Sequence, residues 1–425
     1  MIERRIYDPT LAKKYLDQMF ETFIKTNQIA PNISCDSLLN EKGAMFGVLV
    51  CLNKNNEEVI LKAFSSAINS SYIIEGFVPP VFDINEFNKV VEKYDNKIKE
   101  LTNKIEHDED KNLLKERKNL SNIALEEIQN LYCFYNCDNE IIYLKDIKKE
   151  QYVPTGTGDC CAPKLLNYAF KNSLLPISLI ERFFGKDTQK KSHLNYYPPC
   201  EEKCSIILPH ILKLDIIYVD QDICVINKQA GITTIPGKSE ELKDCITTRF
   251  KHLFPTAIEQ SSTHRLDMDT SGLLVLAFNR ESHRNLSIQF QNREVEKQYI
   301  ALVRGIVEEK EGIIDLPIRL DVDNRPYQIV DFENGKKAIT YYKRLNVEKN
   351  KTTNEIFSRI QFTPKTGRTH QLRVHSKEKL FPIVGDRLYG IRKENENRMA
   401  LHASYIKFKH PKTNEIMEFY SNPNF

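Results

Sequence analysis

The chain contains no run of eighteen apolar residues. A membrane-spanning helix requires about 20 of them, so none is expected. Behind Met1-Ile2-Glu3-Arg4-Arg5 there is no apolar segment of the kind that follows the charged start of a secretory signal. A cytoplasmic location is therefore expected, with reduced thiols, and the ten cysteines are not read as a disulfide framework. An excess of one charge is also lacking: 61 Lys plus Arg stand against 58 Asp plus Glu, a formal net charge of +3. That balance does not by itself mark a nucleic-acid-binding chain. Its distribution says more. From Ile206 onward 34 basic residues face 28 acidic ones, which leaves 27 against 30 before that point (61 less 34, and 58 less 28). The second half is thus the half expected to meet a phosphate backbone.

What is present suits an ordinary globular protein, with 425 residues and 41% hydrophobic content, enough for two or three domains. Residues 47–52 and 58–64 are apolar runs of strand length around the polar cluster Asn53-Lys54-Asn55-Asn56, the pattern of a β-hairpin. From Asp83 to about Tyr132 the reading is helical. Asp83 with Glu86 resembles a capping box, and Phe87, Val90, Tyr94, Ile98, Leu101 and Ile105 recur at spacings of three and four. His107-Asp108-Glu109-Asp110 interrupts this stripe and Leu113, Leu120, Ala124, Ile128 and Leu131 resume it, which predicts an antiparallel helical hairpin. A charged, solvated hairpin packed on its own domain is the preferred reading, over an arm that touches RNA or a partner.

Thr155-Gly156-Thr157-Gly158-Asp159 precedes a predicted helix over 162–169. The run lacks the G-K-[ST] ending of a phosphate-binding loop, and Asp159 would repel phosphate, so a turn is expected rather than a nucleotide site. Cys133 with Cys137, Cys160 with Cys161, and Cys200 with Cys204 are close pairs. A zinc site from Cys200, Cys204 and a third ligand such as Cys160, His193 or His210 is conceivable. C-x-x-x-C is loose spacing, however, and no second tight pair stands at finger-like distance. Buried or free thiols are the preferred reading, and no metal or cofactor is expected.

The chemistry is expected at 263–277, THRLDMDTSGLLVLA. A run with almost no apolar content ends at Gly272 and feeds the continuous apolar run 273–277, of buried-strand length. A polar loop mounted on a buried strand can hold a reactive side chain at a fixed position. Asp267 and Asp269 are two apart, and only one is expected to point into a given pocket. Residues 281–291 read as a helix with Leu286 and Phe290 on one side, and Lys297-Gln298-Tyr299 leads into a strand over 300–303. Farther on, Gly367 breaks a strand before Arg368-Thr369-His370-Gln371-Leu372-Arg373, where a helix would begin.

HRLDMDTSG followed by an apolar strand resembles the signature loop of the RluA-type RNA pseudouridine synthases. Asn227-Lys228 with Ala230-Gly231 resembles that family's N-K-P-x-G entry, with Gln229 where a proline is usual, so the rigidity of that turn is in question. The resemblance runs from about Ile216 to the terminus and continues through 366–375 and 382–389. It implies an α+β fold: a pseudouridine-synthase domain (206–425) on a mostly antiparallel sheet with flanking helices. A separate mixed domain (1–205) would carry the helical hairpin at about 83–132. It implies an isomerase acting on ribosomal or transfer RNA without a cofactor, expected as a monomer away from membranes. Asp267 matches the catalytic aspartate, Tyr299 the active-site tyrosine and Arg373 the basic partner of the aspartate. Arg265, His264, Arg368, His370 and Lys297 are the expected RNA-binding residues, with Arg265 entering the space left by a flipped nucleotide.

Two rivals stand beside this. An aspartyl-nucleophile glycoside hydrolase needs a second carboxylate at a defined separation, and Asp269 is the nearest candidate. A non-enzymatic RNA-binding module would use the same polar loops to grip phosphates, with Asp267 dispensable.

Overall fold

The computed structural model describes residues 5–425 except 41–42, 108–110, 151–152, 201, 238–241, 243, 350–353, 392, 394–395 and 397. Contacts divide the chain into two units, with the boundary along the chain between Lys213 and Leu214. Among the described residues no helix is long and apolar enough to cross a membrane.

In the first unit the expected hairpin is strands β1 (Ala44–Leu52) and β2 (Glu58–Phe64), paired antiparallel with Leu49 opposite Leu61. Asn53 closes the turn, its side-chain oxygen accepting from the N–H groups of Asn55 and Glu57. Helix α1 (Thr10–Thr26) buries Ala12, Leu16, Met19, Phe20 and Phe23, a stripe at helical spacing. Phe20 and Phe23 pack there on Phe46 of β1 and on Phe184. The helical region is two antiparallel helices, α2 (Ile84–His107) and α3 (Lys111–Asn130), tied by Lys93 to Glu127 and by the Tyr94 hydroxyl to the same carboxylate. Asp83 caps α2 by accepting from the Asn85 and Glu86 N–H groups. Of the expected break, 108–110 lies outside the described residues. Helix α4 (Cys161–Lys171) follows the glycine-bearing turn and packs on β1, and strand β3 (Leu175–Phe184) is the other neighbour of β1. The short helix Leu208–Leu212 belongs to this unit, where the Cys137 N–H donates to the Ile211 carbonyl.

The second unit carries a mixed sheet, antiparallel at all but one of its junctions. Its strands are β4 (Ile216–Val219), β5 (Ile223–Lys228), β6 (Ser271–Ala277), β7 (Glu296–Arg304), β8 (Glu311–Asp315), β9 (Ile339–Lys349), β10 (Ile356–Pro364), β11 (Leu401–Lys409) and β12 (Ile416–Tyr420). The spatial order is β8-β9-β10-β7-β11-β6-β5-β4, with β12 also paired to β11. Helix α5 (Arg280–Asn292) sends Leu286 into a core with Leu273, Val275 and Ala277, alternate residues of β6. Every residue of β6 is buried, as a continuous apolar run requires. Its junction with β11 is parallel, Gly272 opposite Ala403. This α+β architecture, a mostly antiparallel sheet with flanking helices beside a mixed amino-terminal region, is the one the sequence predicts.

Gly272 has φ +113°, and a Cβ there would stand 2.3 Å from the Ala403 carbonyl oxygen. Both backbones are held in sheet ladders and cannot withdraw. Gly272→Ala is expected to lower the unfolding free energy by about 2–4 kcal/mol, read from denaturant unfolding of the purified chain.

Candidate active site

The loop that enters β6 is fixed through its backbone. The Thr234 hydroxyl donates to the Leu266 carbonyl and accepts from the Leu266 N–H, at 3.0 and 3.1 Å. The Gly231 N–H donates to the Met268 carbonyl at 2.8 Å. Lys228, 1% exposed, donates its Nζ to the carbonyls of Gln229, Ile232 and Met268 at 2.9, 2.7 and 3.0 Å. An ammonium has three protons and no acceptor, so three carbonyls satisfy it completely. Burial pulls Lys228 down to about 7, while the charges of Asp267 and Asp269 act the other way. The turn in which Gln229 replaces a proline is thus pinned by hydrogen bonds instead of a ring. Leu266 and Met268 flank Asp267, so holding their carbonyls sets where its side chain leaves the loop.

Asp267 lines a cavity of about 670 Å³. Asp269 does not line it and instead accepts from Arg387 at 2.7 Å. Of the two carboxylates only one enters the pocket, as the loop sequence predicts. Asp267 is 25% exposed and its Oδ2 lies 3.5 Å from Nη1 of Arg373, a side chain 3% exposed. Arg373 sits in helix α6 (Gln371–Lys379). Its main partner is a residue to which the sequence assigned no role. Nε and Nη2 donate to the two carboxylate oxygens of Asp386 at 2.8 and 2.7 Å. Asp386 also accepts from the N–H groups of Leu388 and Tyr389, and the Tyr389 ring lies against the guanidinium, 5.1 Å from its centroid. Burial alone would raise Asp386, but the bonds from Arg373 and these two N–H groups outweigh it and hold the carboxyl below its usual value. Two of the three guanidinium nitrogens are therefore engaged within the protein, and the third is turned to Asp267.

The cavity also takes Tyr299, whose hydroxyl is pushed up by burial and by the negative charge of Asp267. It is a protonated phenol at neutral pH. His264 lines the cavity, but its ring is committed: Nε2 accepts from the Val275 N–H at 3.1 Å and the face stacks on Phe290 at 4.5 Å. Burial, with Lys297 nearby, lowers it to about 3, so it is neutral and braces the loop. His370 opens α6 with φ +54°, and its Nδ1 lies 2.8 Å from the Tyr389 hydroxyl. Lys297 is lowered by burial and lies over the Phe290 ring. Arg265 is exposed at the cavity, and Arg368, also exposed, donates Nε to the Lys337 carbonyl at 3.2 Å. All eight residues singled out in the sequence line this one cavity. Sequence reading passed over Asp386, Tyr389 and Lys228, although the first two sit in the 382–389 segment and the third in Asn227-Lys228.

Two outcomes follow. Asp386→Asn leaves a buried guanidinium without its counter-charge, and stability is expected to fall by about 3 kcal/mol or more, measured by denaturant midpoint. His264 resists protonation down to about 3 when folded and titrates near 6.5 when unfolded. Its contribution is present above 6.5 and lost as the pH falls toward 3, because unfolding takes up a proton in that window. In His264→Leu the slope of stability against pH between 6.5 and 3 should be shallower by up to about one proton, measured by unfolding at several pH values.

The sequence model of a family described as RNA pseudouridylate synthase matches residues 222–378. The dual-specificity RNA pseudouridine synthase RluA of Yersinia pestis is 41% identical over 212 residues, covering 49% of this chain and 99% of that protein. The Escherichia coli (strain K12) protein of the same name is 39% identical over 233 residues, 54% of this chain and 98% of that protein. Among solved structures, human RNA pseudouridylate synthase domain containing 1 is 30% identical with a TM-score of 0.43, covering 50% of this chain and 84% of that one. With relatives of this identity aligned over almost their full length, the chain belongs to the RluA-type RNA pseudouridine synthase family.

Proposed function

We propose that this protein isomerises uridine to pseudouridine in ribosomal or transfer RNA, in the cytoplasm, with Asp267 as the catalytic carboxylate. The observation that carries the proposal is the placement of that carboxylate. It is the one member of the Asp267/Asp269 pair in the cavity, and the remaining guanidinium nitrogen of a buried, doubly anchored arginine faces it.

The reaction breaks the bond between the ribose C1′ and uracil N1, turns the ring, and forms a bond from C1′ to C5. The C5 hydrogen is then lost as a proton and N1 gains one, so no net oxidation or external group is involved. Asp267 supplies negative charge at C1′, as nucleophile or as electrostatic partner of the sugar cation. Arg373 orients the carboxylate and offers it a positive partner, and Asp386 keeps Arg373 from turning away. Tyr299 offers a flat face to the detached uracil and an O–H that donates to it. The cavity volume of about 670 Å³ falls in the range of sites for small ligands.

The lining supports a phosphate-bearing substrate. Arg265, Arg293, Lys297, Lys365 and Arg368 all line the cavity. Arg265 makes no hydrogen bond or ion pair among the described residues, as a side chain that enters a vacated base stack requires. The glycosidase reading needs Asp269 as its second carboxylate, and Asp269 is bound to Arg387 outside the cavity lining.

Release of tritium from RNA labelled at the uridine C5 position tests the assignment. Asp267→Asn is expected to reduce the rate at least about 10³-fold while RNA affinity changes little. Turnover close to the unsubstituted enzyme would remove Asp267 from the mechanism. Absence of tritium release by the unsubstituted enzyme on any cellular RNA would favour the binding-module reading.

A further inference from the structure

Cys160, Cys200 and Cys204 come from two separate stretches of the first unit, yet their three sulfurs lie within 4.8 Å of one another. We propose that they hold a zinc ion, with a water completing a four-coordinate shell.

The sequence pattern favoured buried or free thiols, because Cys200 and Cys204 are loosely spaced and Cys160 is forty positions away. The fold supplies what spacing could not. Cys160 is the residue just before α4, in extended conformation, so its side chain stands at the positive end of an eleven-residue helix. Cys204 begins the short 3-10 turn Cys204–Ile206 and is fully buried, while Cys160 and Cys200 are half-buried. Three thiolates around zinc at about 2.3 Å stand about 3.8 Å apart at tetrahedral angles, which this cluster accommodates.

Neighbouring cysteines show what an ordinary buried thiol does here. Cys161, adjacent in sequence, directs its sulfur at the carbonyls of Met45 and Ala63, and Cys35 directs its own at the Phe23 carbonyl. Those thiols act as weak donors to backbone oxygen. Cys200 does the opposite: its sulfur accepts the Lys203 N–H at 3.5 Å. An N–H aimed at sulfur is the contact that steadies a thiolate ligand. The cluster thus gathers three sulfurs at a helix start, with room for solvent on the half-buried Cys160 and Cys200 side. Zinc there would fasten the strand-poor segment after β3 to the amino end of α4, and α4 is packed on β1, an inner strand of its sheet.

The full-length chain, loaded with zinc and dialysed in reducing buffer, is expected to keep about one zinc per chain by elemental analysis. Cys200→Ser and Cys204→Ser should each keep less than about a tenth of that, while Cys133→Ser keeps all of it. A second measurement needs no variant. Cobalt(II) added to the metal-free protein should give the intense near-ultraviolet thiolate-to-metal absorption of several thiolate ligands, and one equivalent of zinc should bleach it. A folded protein that retains less than about a tenth of a zinc and shows no such band overturns the proposal. Undiminished zinc in both serine variants overturns it equally.

Discussion

The buried pair between Arg373 and Asp386 is the constraint on which the catalytic half depends. A guanidinium is costly to remove from water, and at 3% exposure it persists only because a carboxylate meets it edge to edge. The arrangement divides labour among three nitrogens. Two anchor the cation, and the third is left with a direction but no strong partner, 3.5 Å from Asp267. A longer, freer bond suits an oxygen that, in the proposed reaction, has to change partners. Had Asp267 been the sole counter-ion, the arginine would follow every movement of the carboxylate.

Around this pair the protein builds a frame whose members are satisfied internally. Gln371, buried at the start of α6, donates to the Ile339 carbonyl and the Thr340 hydroxyl and accepts from Thr366 and Arg368. His375 is likewise engaged at both ring nitrogens, with Thr340 and the Leu316 carbonyl. Polar groups held this completely have no second arrangement of similar energy, so the first turn of α6 presents Arg373 in one place. Lys228 and Thr234 do the same for the loop of Asp267. The groups proposed to meet RNA differ in kind: Arg265 and Arg368 stay exposed and the Asp267 carboxylate stays partly wet.

Much of this was legible in sequence where the signal is local. The apolar run 273–277 has the length of a buried strand, and the stripe from Phe87 to Ile105 has the spacing of one face of a helix. Asp83 announced a helix start through a contact two and three residues away. Asp267 and its family companions were found because a long motif fixes them in order. What stayed hidden depends on pairs far apart in the chain. Nothing around Asp386 says that it meets Arg373, and nothing in Asn227-Lys228 says that the amine turns inward to three carbonyls. His264 sits in the same motif as Asp267 and looks equally exposed to substrate; only the fold shows its ring spent on Val275 and Phe290. The three cysteines follow the same rule, since their meeting is a property of chain path.

The separation between Asp267 and Arg373 is 106 positions. The acid lies in the loop that enters β6, a strand whose parallel neighbour, the strand beginning at Leu401, comes last but one. The carboxylate proposed to react thus precedes in the chain both the helix that carries its guanidinium and the strand that pairs beside its own mount. A product ending before α6 would carry the whole signature motif and yet lack Arg373 and Asp386, so the motif and the site built around it are separable.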